Sequence, residues 1–452
     1  LRPAADGSPG RWTMTALPPR SSTASASMVR SVRPTRLDRA RGNSRVIVAM
    51  GPLPVASTSE LSARLVALAR VSVGNRLGIV RAGDGRDWYH DPHHLVDAVR
   101  DWSSEFPGTE HLSVPDKLAH LRAATVTPVG LRIYLSGAHL ITDIPHAVFD
   151  GVMVVRLWLY LSVGQTDSVP LWATTPESRP RPARTLLRYL ATHPRAVVPL
   201  ARAGRRRVDA TMVVQARAQD PIPRLRTRSA RLSAARLIEL HAWRDVHAPE
   251  CSMAVILMTV LTRATCAAGV DLAPYVHVVV DGRRYDAALR DHLGNAAVGL
   301  NLPFGAPYRP SALQSELSGA IASGRPLAAM IAISVGEWIS ARRRRIATVP
   351  DSISAGPSVL SFSHLLGLDD MPDGQWVGGF DEHDFAALTE PVGPRGVAFL
   401  MPRMRDHYDL SASFDARHHD AAVIDDALRL ATEDPLRLLD PAPLEGEESD
   451  ES

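Results

Sequence analysis

The amino-acid sequence predicts an α/β fold in which helices and strands alternate along the chain. Apolar residues alternate with polar ones or form short β-branched runs at 45–50 and 275–280, as in strands, whereas 59–71 carries apolar residues at helical spacing. Alternation of the two kinds of element favours helices layered on sheets. The chain has 452 residues, 45% of them hydrophobic and 22% charged, which is enough for a packed core and more than one domain-sized unit.

Composition divides the chain into five parts. Residues 1–44 are rich in Arg, Ser, Thr and Pro and poor in acids, which predicts a disordered N-terminal extension, with a transit peptide as the alternative. A first folded unit is expected at 45–175 and a second at 229–436. Recurring prolines and arginines at 176–228 predict a crossover between them. The acidic residues 437–452 predict a disordered tail.

The elements of the first unit follow from local patterns and from capping residues. In chain order we expect a strand at 45–50, a helix at 59–71 capped by Ser59, short strands at 77–80 and 88–89, a helix at 95–102, a strand at 129–141 and a helix at 152–161.

The crossover and the second unit follow in the same way, and a proline breaks two of their helices. We expect a broken helix at 185–203, helices at 232–240, 252–268, 311–344 (interrupted at Pro326) and 423–432, and strands at 275–280, 359–363, 396–400 and 408–414. The mixture of Leu, Val and Arg in the crossover suits a solvated connector, with weak peripheral contact to an anionic lipid surface as the alternative.

Composition also excludes several classes of function. The formal net charge is only +3, so nucleic-acid binding is not expected. The two cysteines, Cys251 and Cys266, flank one apolar helical run, which disfavours a disulfide between them and fits a reduced, cytoplasmic setting. No Cys/His spacing indicates a metal site, and Pro92 prevents helical presentation of His90, His93 and His94, which favours a solvated loop.

One turn between a predicted strand and a predicted helix carries the main functional signal. It reads His146-Ala-Val-Phe-Asp150-Gly151. An imidazole in such a turn can take a proton from a hydroxyl or an amine near neutral pH, while the carboxylate folds back to brace the backbone. Gly151 leaves room for a substrate to approach the backbone closely. The alternatives are a helix-start histidine bonded to a nearby carbonyl and a first-turn acid favoured by the helix dipole.

This pattern resembles the HxxxDG motif of the CoA-dependent acyltransferase superfamily. Members include chloramphenicol acetyltransferase, the condensation domains of nonribosomal peptide synthetases, wax-ester synthases and polyketide-associated acyltransferases. The resemblance extends over residues 45–435, because three later segments match the superfamily in the same order. Two departures stand out. Pro145 occupies a position where many relatives have a second histidine. The DFGWG element of the plant BAHD enzymes, another branch of the superfamily, is absent.

The first later segment is Val280-Asp-Gly-Arg283-Arg284, followed by Gly294-Asn295. In the superfamily, an arginine at such a strand end often pairs with the aspartate of the motif. The resemblance implies this pairing for Arg283 or Arg284, with Arg284 preferred, because a buried carboxylate needs a charged partner. The alternative is a pair of surface arginines in a turn.

The second segment, 359–367, resembles the strand and loop near the acyl site. Ser361 or Ser363 is expected to donate a hydrogen bond to the oxyanion of a tetrahedral intermediate. Alternation places both on one face of the strand, so the sequence does not choose between them, and a serine bonded only to backbone is the alternative. The third segment, 409–415, resembles a C-terminal structural strand.

The resemblance implies two similar subdomains that meet at a tunnel, each with a mixed sheet flanked by helices. It further implies an acyltransferase of lipid or secondary metabolism, with His146 as the general base. The donor would be a thioester of CoA or of an acyl-carrier protein, and the acceptor a hydroxyl or an amine. No metal or tightly bound cofactor is expected. A stand-alone condensation-type domain that forms amides and a non-catalytic scaffold that kept the fold are the alternatives.

Overall fold

The computed structural model describes residues 14–16, 29–54, 57–82, 87–162, 168–176, 180–205, 224–286, 289–290, 292–343, 356–365, 368, 376–379 and 382–439. Its strands, in chain order, are β1 (Met14–Ala16), β2 (Arg30–Val32), β3 (Arg45–Gly51), β4 (Ile79–Arg81), β5 (Trp88–His90), β6 (Val99–Asp101), β7 (Arg132–Ser136), β8 (His139–Pro145), β9 (Ser168–Pro170), β10 (Leu225–Leu232), β11 (Leu272–Asp281), β12 (Ala297–Pro303), β13 (Ser358–Leu365), β14 (Asp384–Leu388), β15 (Val397–Met404) and β16 (His407–Asp415).

The helices, in the same order, are α1 (Arg36–Ala40), α2 (Thr58–Val71), α3 (Trp102–Glu105), α4 (Val114–Ala124), α5 (Gly151–Ser162), α6 (Pro182–Thr192), α7 (Val197–Arg205), α8 (Ala234–His247), α9 (Met253–Ala267), α10 (Pro310–Ala322), α11 (Arg325–Arg343), α12 (Ala421–Glu433) and α13 (Pro435–Leu439). The predicted α/β fold class is confirmed, because strands and helices alternate and every large sheet has helices packed on it.

Two large sheets form the framework of two lobes. The first lobe has the strand order β14-β3-β8-β7-β6, and the second has β10-β16-β15-β13-β11-β12. One core packs the first sheet against α2 and α5, with Leu65 and Met153 fully buried in it. The other packs the second sheet against α9 and α12, around residues such as Ile256 and Phe414. Each lobe therefore buries its own apolar layer.

Strand β14 comes from the second half of the sequence but belongs to the sheet of the first lobe, where it pairs antiparallel with β3. It also lies on the second sheet. The Ala387 and Thr389 amides donate to the hydroxyls of Ser411 and Ser413, both at 3.0 Å, and the Thr227 hydroxyl donates to the Ala387 carbonyl at 2.6 Å. Strand β14 thus connects the two lobes, which the sequence pattern does not indicate.

Several predicted elements differ from the structure inside the first lobe. The single strand expected at 129–141 is a hairpin of β7 and β8, because Gly137 takes a left-handed turn with φ of +60°. The helix expected at 95–102 is a 3₁₀ turn at Pro92–Asp97 followed by β6 and α3. Helix α2 is capped by the Ser57 hydroxyl, which accepts from the Glu60 amide at 3.3 Å, and not by Ser59.

The expected boundaries also differ at three places. Residues 29–44 belong to the folded part of the chain and not to the predicted N-terminal extension, because they contain β2 and α1, and Asp38 of α1 is completely buried. The crossover ends earlier than expected, at Leu225, where β10 begins. At the other end α13 continues to Leu439, which is buried, so residues 437–439 belong to a helix and not to the predicted tail. Residues 440–452 and most of 1–28 lie outside the described residues.

Among the described residues, no single helix combines the length and the apolar character needed to cross a membrane. The pair Pro310–Ala322 and Arg325–Ile339 reaches that length only together, and it is bent by 66° at its break.

Candidate active site

His146 lies in the turn between β8 and α5. Its amide donates to the Ser44 carbonyl at 2.9 Å, and its ring Nδ1–H donates to the Phe149 carbonyl at 3.0 Å. In the neutral ring this assigns the proton to Nδ1 and leaves Nε2 as an acceptor. The carbonyl-bonded histidine expected as the alternative is therefore present, and it is compatible with a base at Nε2.

The environment keeps the His146 ring neutral. The side chain is half-buried, and burial lowers its pKa to about 4, with the Arg41 guanidinium acting in the same direction. Hydrogen bonding to Phe149 and the Asp38 carboxylate oppose the shift. A ring with such a pKa is unprotonated over the whole physiological range, and it is a weaker base than an ordinary imidazole.

Asp150 is bound by Arg283 and not by Arg284. The Arg283 Nη2 atom lies 2.5 Å from Asp150 Oδ2, and both side chains are buried. The short 3₁₀ helix Gly282–Tyr285 after β11 turns Arg283 inward and leaves Arg284 exposed, which corrects the preference for Arg284. Burial raises the pKa of the Asp150 carboxyl, and the Arg283 guanidinium opposes that shift.

Arg283 is held by its own surroundings. Its guanidinium donates to the carbonyls of His292 and Gly294, both at 2.8 Å, and to Asp281 Oδ1 at 3.1 Å. Asp150 also caps α5, since its Oδ1 accepts from the Met153 amide at 3.3 Å. One carboxylate therefore pairs with an arginine of the second lobe and also lies at the start of α5, close to the position that the helix-dipole alternative predicts.

The backbone carbonyls of the His146 turn each accept a hydrogen bond. The Asn295 amide nitrogen Nδ2 donates to the carbonyls of His146 at 2.9 Å and Ala147 at 3.0 Å. Arg76 Nε donates to the Val148 carbonyl at 2.6 Å, and the Phe149 carbonyl accepts from the imidazole. This matters because a turn between two elements has no ladder of its own to satisfy its backbone.

Asp38 connects two of these donors. Its Oδ1 accepts from the backbone amide and from Nδ2 of Asn295, both at 3.1 Å, and lies 3.3 Å from Arg76 Nη2. Asp38 is fully buried, and the Thr35 amide donates to its other oxygen in a capping box. Helix α1 thus supports the turn that carries the imidazole.

Gly151 follows Asp150 where the second lobe approaches the turn. A Cβ built on Gly151 would lie 3.0 Å from Leu365 Cδ2 at the end of β13. Because side chains alternate along a strand, Ser361 and Ser363 share the face of Leu365. Ser361 is buried and donates to the Val397 carbonyl at 3.5 Å, the long limit of a hydrogen bond. Ser363 is half-buried and is the next residue before Leu365 on this face of the strand.

A second half-buried histidine lies on the same face of the second sheet. His277 of β11 is opposite Ser361 in the register of β11 and β13, and its Nδ1 lies 2.8 Å from Asn301 Oδ1. Burial lowers the pKa of His277, and Arg41 contributes in that direction. Arg41 therefore lies within electrostatic reach of both His146 and His277, and its Nη2 donates to the Ala297 carbonyl at 2.9 Å.

Four further residues belong to this region without having been predicted from the sequence: Asp38, Arg41, Arg76 and His277. Only Thr35-x-x-Asp38, a capping-box pattern, could have indicated an ordered helix at the N-terminal end. A cavity of about 20 Å³ lies beside Thr35, Arg76 and Gly294, which is room for about one water. The tunnel that the resemblance implies stays a prediction.

The solvated loop predicted for His90, His93 and His94 is wrong for His90. His93 is exposed, but His90 is buried and its ring Nε2 bonds the Ala69 carbonyl. A different group, His383, His407 and Asp409, brings three donor atoms together within the described residues. It lies at the turn of the β15–β16 hairpin and the start of β14.

Solved structures share this architecture. A trichothecene 15-O-acetyltransferase from Fusarium sporotrichioides superposes with a TM-score of 0.58 at 11% identity, covering 90% of this chain and 95% of that one. The first condensation domain of the CDA synthetase gives 0.52 at 12% identity, covering 92% and 99%. The epimerization domain from the third module of tyrocidine synthetase B gives 0.50 at 14% identity, also covering 92% and 99%.

No family model matches the sequence, and no curated protein sequence matches it either. The likeness is therefore one of fold, which extends over nine-tenths of the chain and nearly all of each neighbour. The resemblance that the HxxxDG pattern predicts is confirmed at this level: the chain has the two-lobed fold shared by chloramphenicol acetyltransferase-like enzymes and condensation domains.

Proposed function

We propose that this protein transfers an acyl group from a thioester to a hydroxyl or an amine, with His146 as the general base. The observation that carries the proposal is the state of the His146 ring. Its Nδ1–H is bound to the Phe149 carbonyl, so Nε2 presents a lone pair, and burial keeps the ring neutral. The turn around it is braced by Arg283 and Asn295 from the second lobe.

The proposed reaction proceeds in two proton-coupled steps. Nε2 of His146 removes the proton of the acceptor as its oxygen or nitrogen attacks the thioester carbonyl carbon. The tetrahedral intermediate then collapses, the carbon–sulfur bond breaks, and the leaving thiolate takes the proton back from the imidazolium. An ester or an amide and a free thiol are formed, with no covalent acyl-enzyme.

The surroundings support this proton cycle. The Arg41 guanidinium disfavours a lasting imidazolium, because it lowers the pKa of His146. The proton is therefore readily passed to the leaving sulfur. Ser363 or Ser361 would donate to the oxyanion. We favour Ser363, because it precedes Leu365 on the same face of β13 and the Leu365 side chain lies close to Gly151.

The roles of the other residues are to position the turn. Asp150 is engaged by Arg283 and by the amide of Met153, so it orients the backbone and does not carry a proton in the cycle. Asn295 fixes the carbonyls of His146 and Ala147. The donor would be CoA or the pantetheine arm of a carrier protein. Lipid or secondary metabolism is the proposed setting.

A condensation-type reaction is the second candidate. It is favoured by the likeness to a condensation domain over 92% of this chain. The acceptor would then be an amine, and both substrates would be carried on pantetheine arms. Supplying the acceptor both free in solution and as an amine on a carrier protein separates the two candidates, because only the condensation-type activity would require a carrier-bound acceptor.

Release of free thiol tests the proposal. The purified chain is incubated with a panel of acyl-CoA thioesters, with and without hydroxyl and amine acceptors, and free CoA is measured. Acceptor-dependent release is expected, and His146→Ala should reduce it by about 10²–10⁴-fold. His139→Ala is the matched control, since His139 starts the same strand and pairs with Asp384 at 3.4 Å. Equal rates in the parent and in His146→Ala would refute the assigned role.

A further inference from the structure

We propose that His383, His407 and Asp409 bind a divalent transition-metal ion, with Zn²⁺ as the preferred ion. All three residues are buried, and their donor atoms lie within 4.8 Å of one another. Two neutral imidazoles and one carboxylate form a ligand set that suits zinc. The proposal is independent of acyl transfer.

Three donor atoms lie close together. His407 Nε2 lies 3.2 Å from His383 Nε2, which lies 2.6 Å from Asp409 Oδ2, whereas His407 Nε2 lies 3.9 Å from Asp409 Oδ1 and must move closer to the carboxylate to share an ion. In a tetrahedral zinc site with bonds of about 2.0–2.1 Å, ligand atoms lie about 3.4 Å apart. The pair of imidazoles already has nearly this separation, and the His383–Asp409 contact must open by about 0.8 Å to admit the ion.

The protonation pattern leaves one lone pair, that of His407 Nε2, directed at the proposed site, whereas His383 would exchange the Nε2 proton that it donates to Asp409 Oδ2 for the ion. His407 Nδ1 lies 2.9 Å from Asp406 Oδ1, so this ring carries its proton on Nδ1 and its Nε2 is an acceptor. A carboxylate behind a histidine ligand is the usual arrangement that fixes its tautomer.

The charges around the cluster leave one carboxylate oxygen for the ion. Arg231 Nε donates to Asp409 Oδ1 at 3.1 Å, and another nitrogen of the same guanidinium donates to the His383 carbonyl. Oδ2 of Asp409, the oxygen that faces His383, is therefore the one directed at the proposed site. Arg231 would orient the carboxylate without competing for that oxygen.

The position of the cluster gives the ion a structural role. His407, Asp409, Ser411 and Ser413 share the face of β16 on which β14 lies, and the two serines already bind the β14 backbone. His383 is the residue directly before β14. An ion here would continue this row and fasten the start of the strand that crosses from one lobe to the other.

Metal content tests the proposal directly. The full-length chain is stripped with a chelator, dialysed against Zn²⁺ alone and analysed for bound metal. One zinc per chain is expected in the parent, and less than a tenth of this in His383→Ala and in His407→Gln. His418→Ala, a change in the turn at the opposite end of β16, should retain one zinc. Because Cys251 and Cys266 are the only thiols, a variant with serine at both positions should also retain it.

Two further measurements keep the outcome decisive if a variant does not fold. Co²⁺ in place of Zn²⁺ should give the visible absorption of a tetrahedral nitrogen–oxygen site in the parent. Zn²⁺ should also raise the parent's melting temperature by a few degrees, because it binds the folded state alone. Less than 0.1 zinc per parent chain, or undiminished zinc in the histidine variants, would overturn the proposal.

Discussion

Replacing Asp150 by asparagine isolates the contribution of the buried ion pair that joins the two lobes. The Asp150 and Arg283 side chains are 3% and 6% exposed, and their nearest atoms are 2.5 Å apart. Asparagine keeps the size of the side chain but removes the charge. Whichever way its amide turns, either Arg283 or the Met153 amide loses its acceptor.

The expected cost follows from this geometry. Removing one partner of a buried pair destabilises a protein by about 3–5 kcal/mol, because the other charge stays buried. The lower value applies here, since Arg283 keeps Asp281 at 3.1 Å and the carbonyls of His292 and Gly294. With an unfolding entropy of about 2.1 cal/mol/K per residue, a loss of about 3 kcal/mol lowers the melting temperature of a chain of this length by about 3 °C.

The assay is urea unfolding followed by fluorescence, together with thiol release. Asp150→Asn should lower the free energy of unfolding by about 3 kcal/mol and also reduce activity. Arg283→Met should be similarly destabilising, whereas Arg284→Met, a change of the exposed neighbour, should cost less than about 0.5 kcal/mol. If Asp150→Asn unfolds like the parent, or if the two arginine variants are equally destabilised, the pairing has no energetic role.

Three further predictions concern the imidazole, the oxyanion and the N-terminal segment. His146 must be neutral to act, and its pKa is lowered to about 4. We therefore expect kcat/KM to stay level from pH 8 to about pH 5 and to fall only as the pH drops through about 4. A fall of kcat/KM centred near pH 6.5 would refute the lowered pKa. Loss of an oxyanion donor costs about 10²–10³-fold in kcat, so Ser363→Ala should show that loss and Ser361→Ala much less, with the reverse order assigning the donor to Ser361. A chain lacking residues 1–44 should lose thiol release and have a lower melting temperature. A chain lacking residues 1–28 keeps α1 and should retain activity. Equal activity of the two chains would show that α1 does not support the site.

The turn that carries His146 could be predicted because its local signals agree. An alternating strand, a short turn bounded by His146 and Asp150 and an apolar helix follow each other within a few residues, and the structure has β8 and α5 on either side of that turn. Local patterns do not determine which of two adjacent arginines turns inward. That depends on the 3₁₀ helix after β11, whose hydrogen bonds orient Arg283 toward the other lobe.

Other parts of the site lay beyond sequence reasoning for a different reason. Residues 29–44 are rich in arginine and contain little apolar pattern, yet Asp38 orders them by polar contacts with Asn295 and Arg76, which are distant in sequence. His383 and Asp409 are 26 residues apart and meet only because β14 crosses onto the second sheet. Long-range polar contacts of this kind leave no periodic signal.

The turn of His146 gains its rigidity from side chains outside it, and this explains why the site depends on both lobes. The carbonyls of residues 146–148 are bound by Asn295 and Arg76, both of which contact Asp38, and the carbonyl of residue 149 is bound by the imidazole itself. Any movement of the lobes that displaced Asn295 would leave two of these acceptors without a donor. The loss of these hydrogen bonds therefore opposes separation of the lobes at this point.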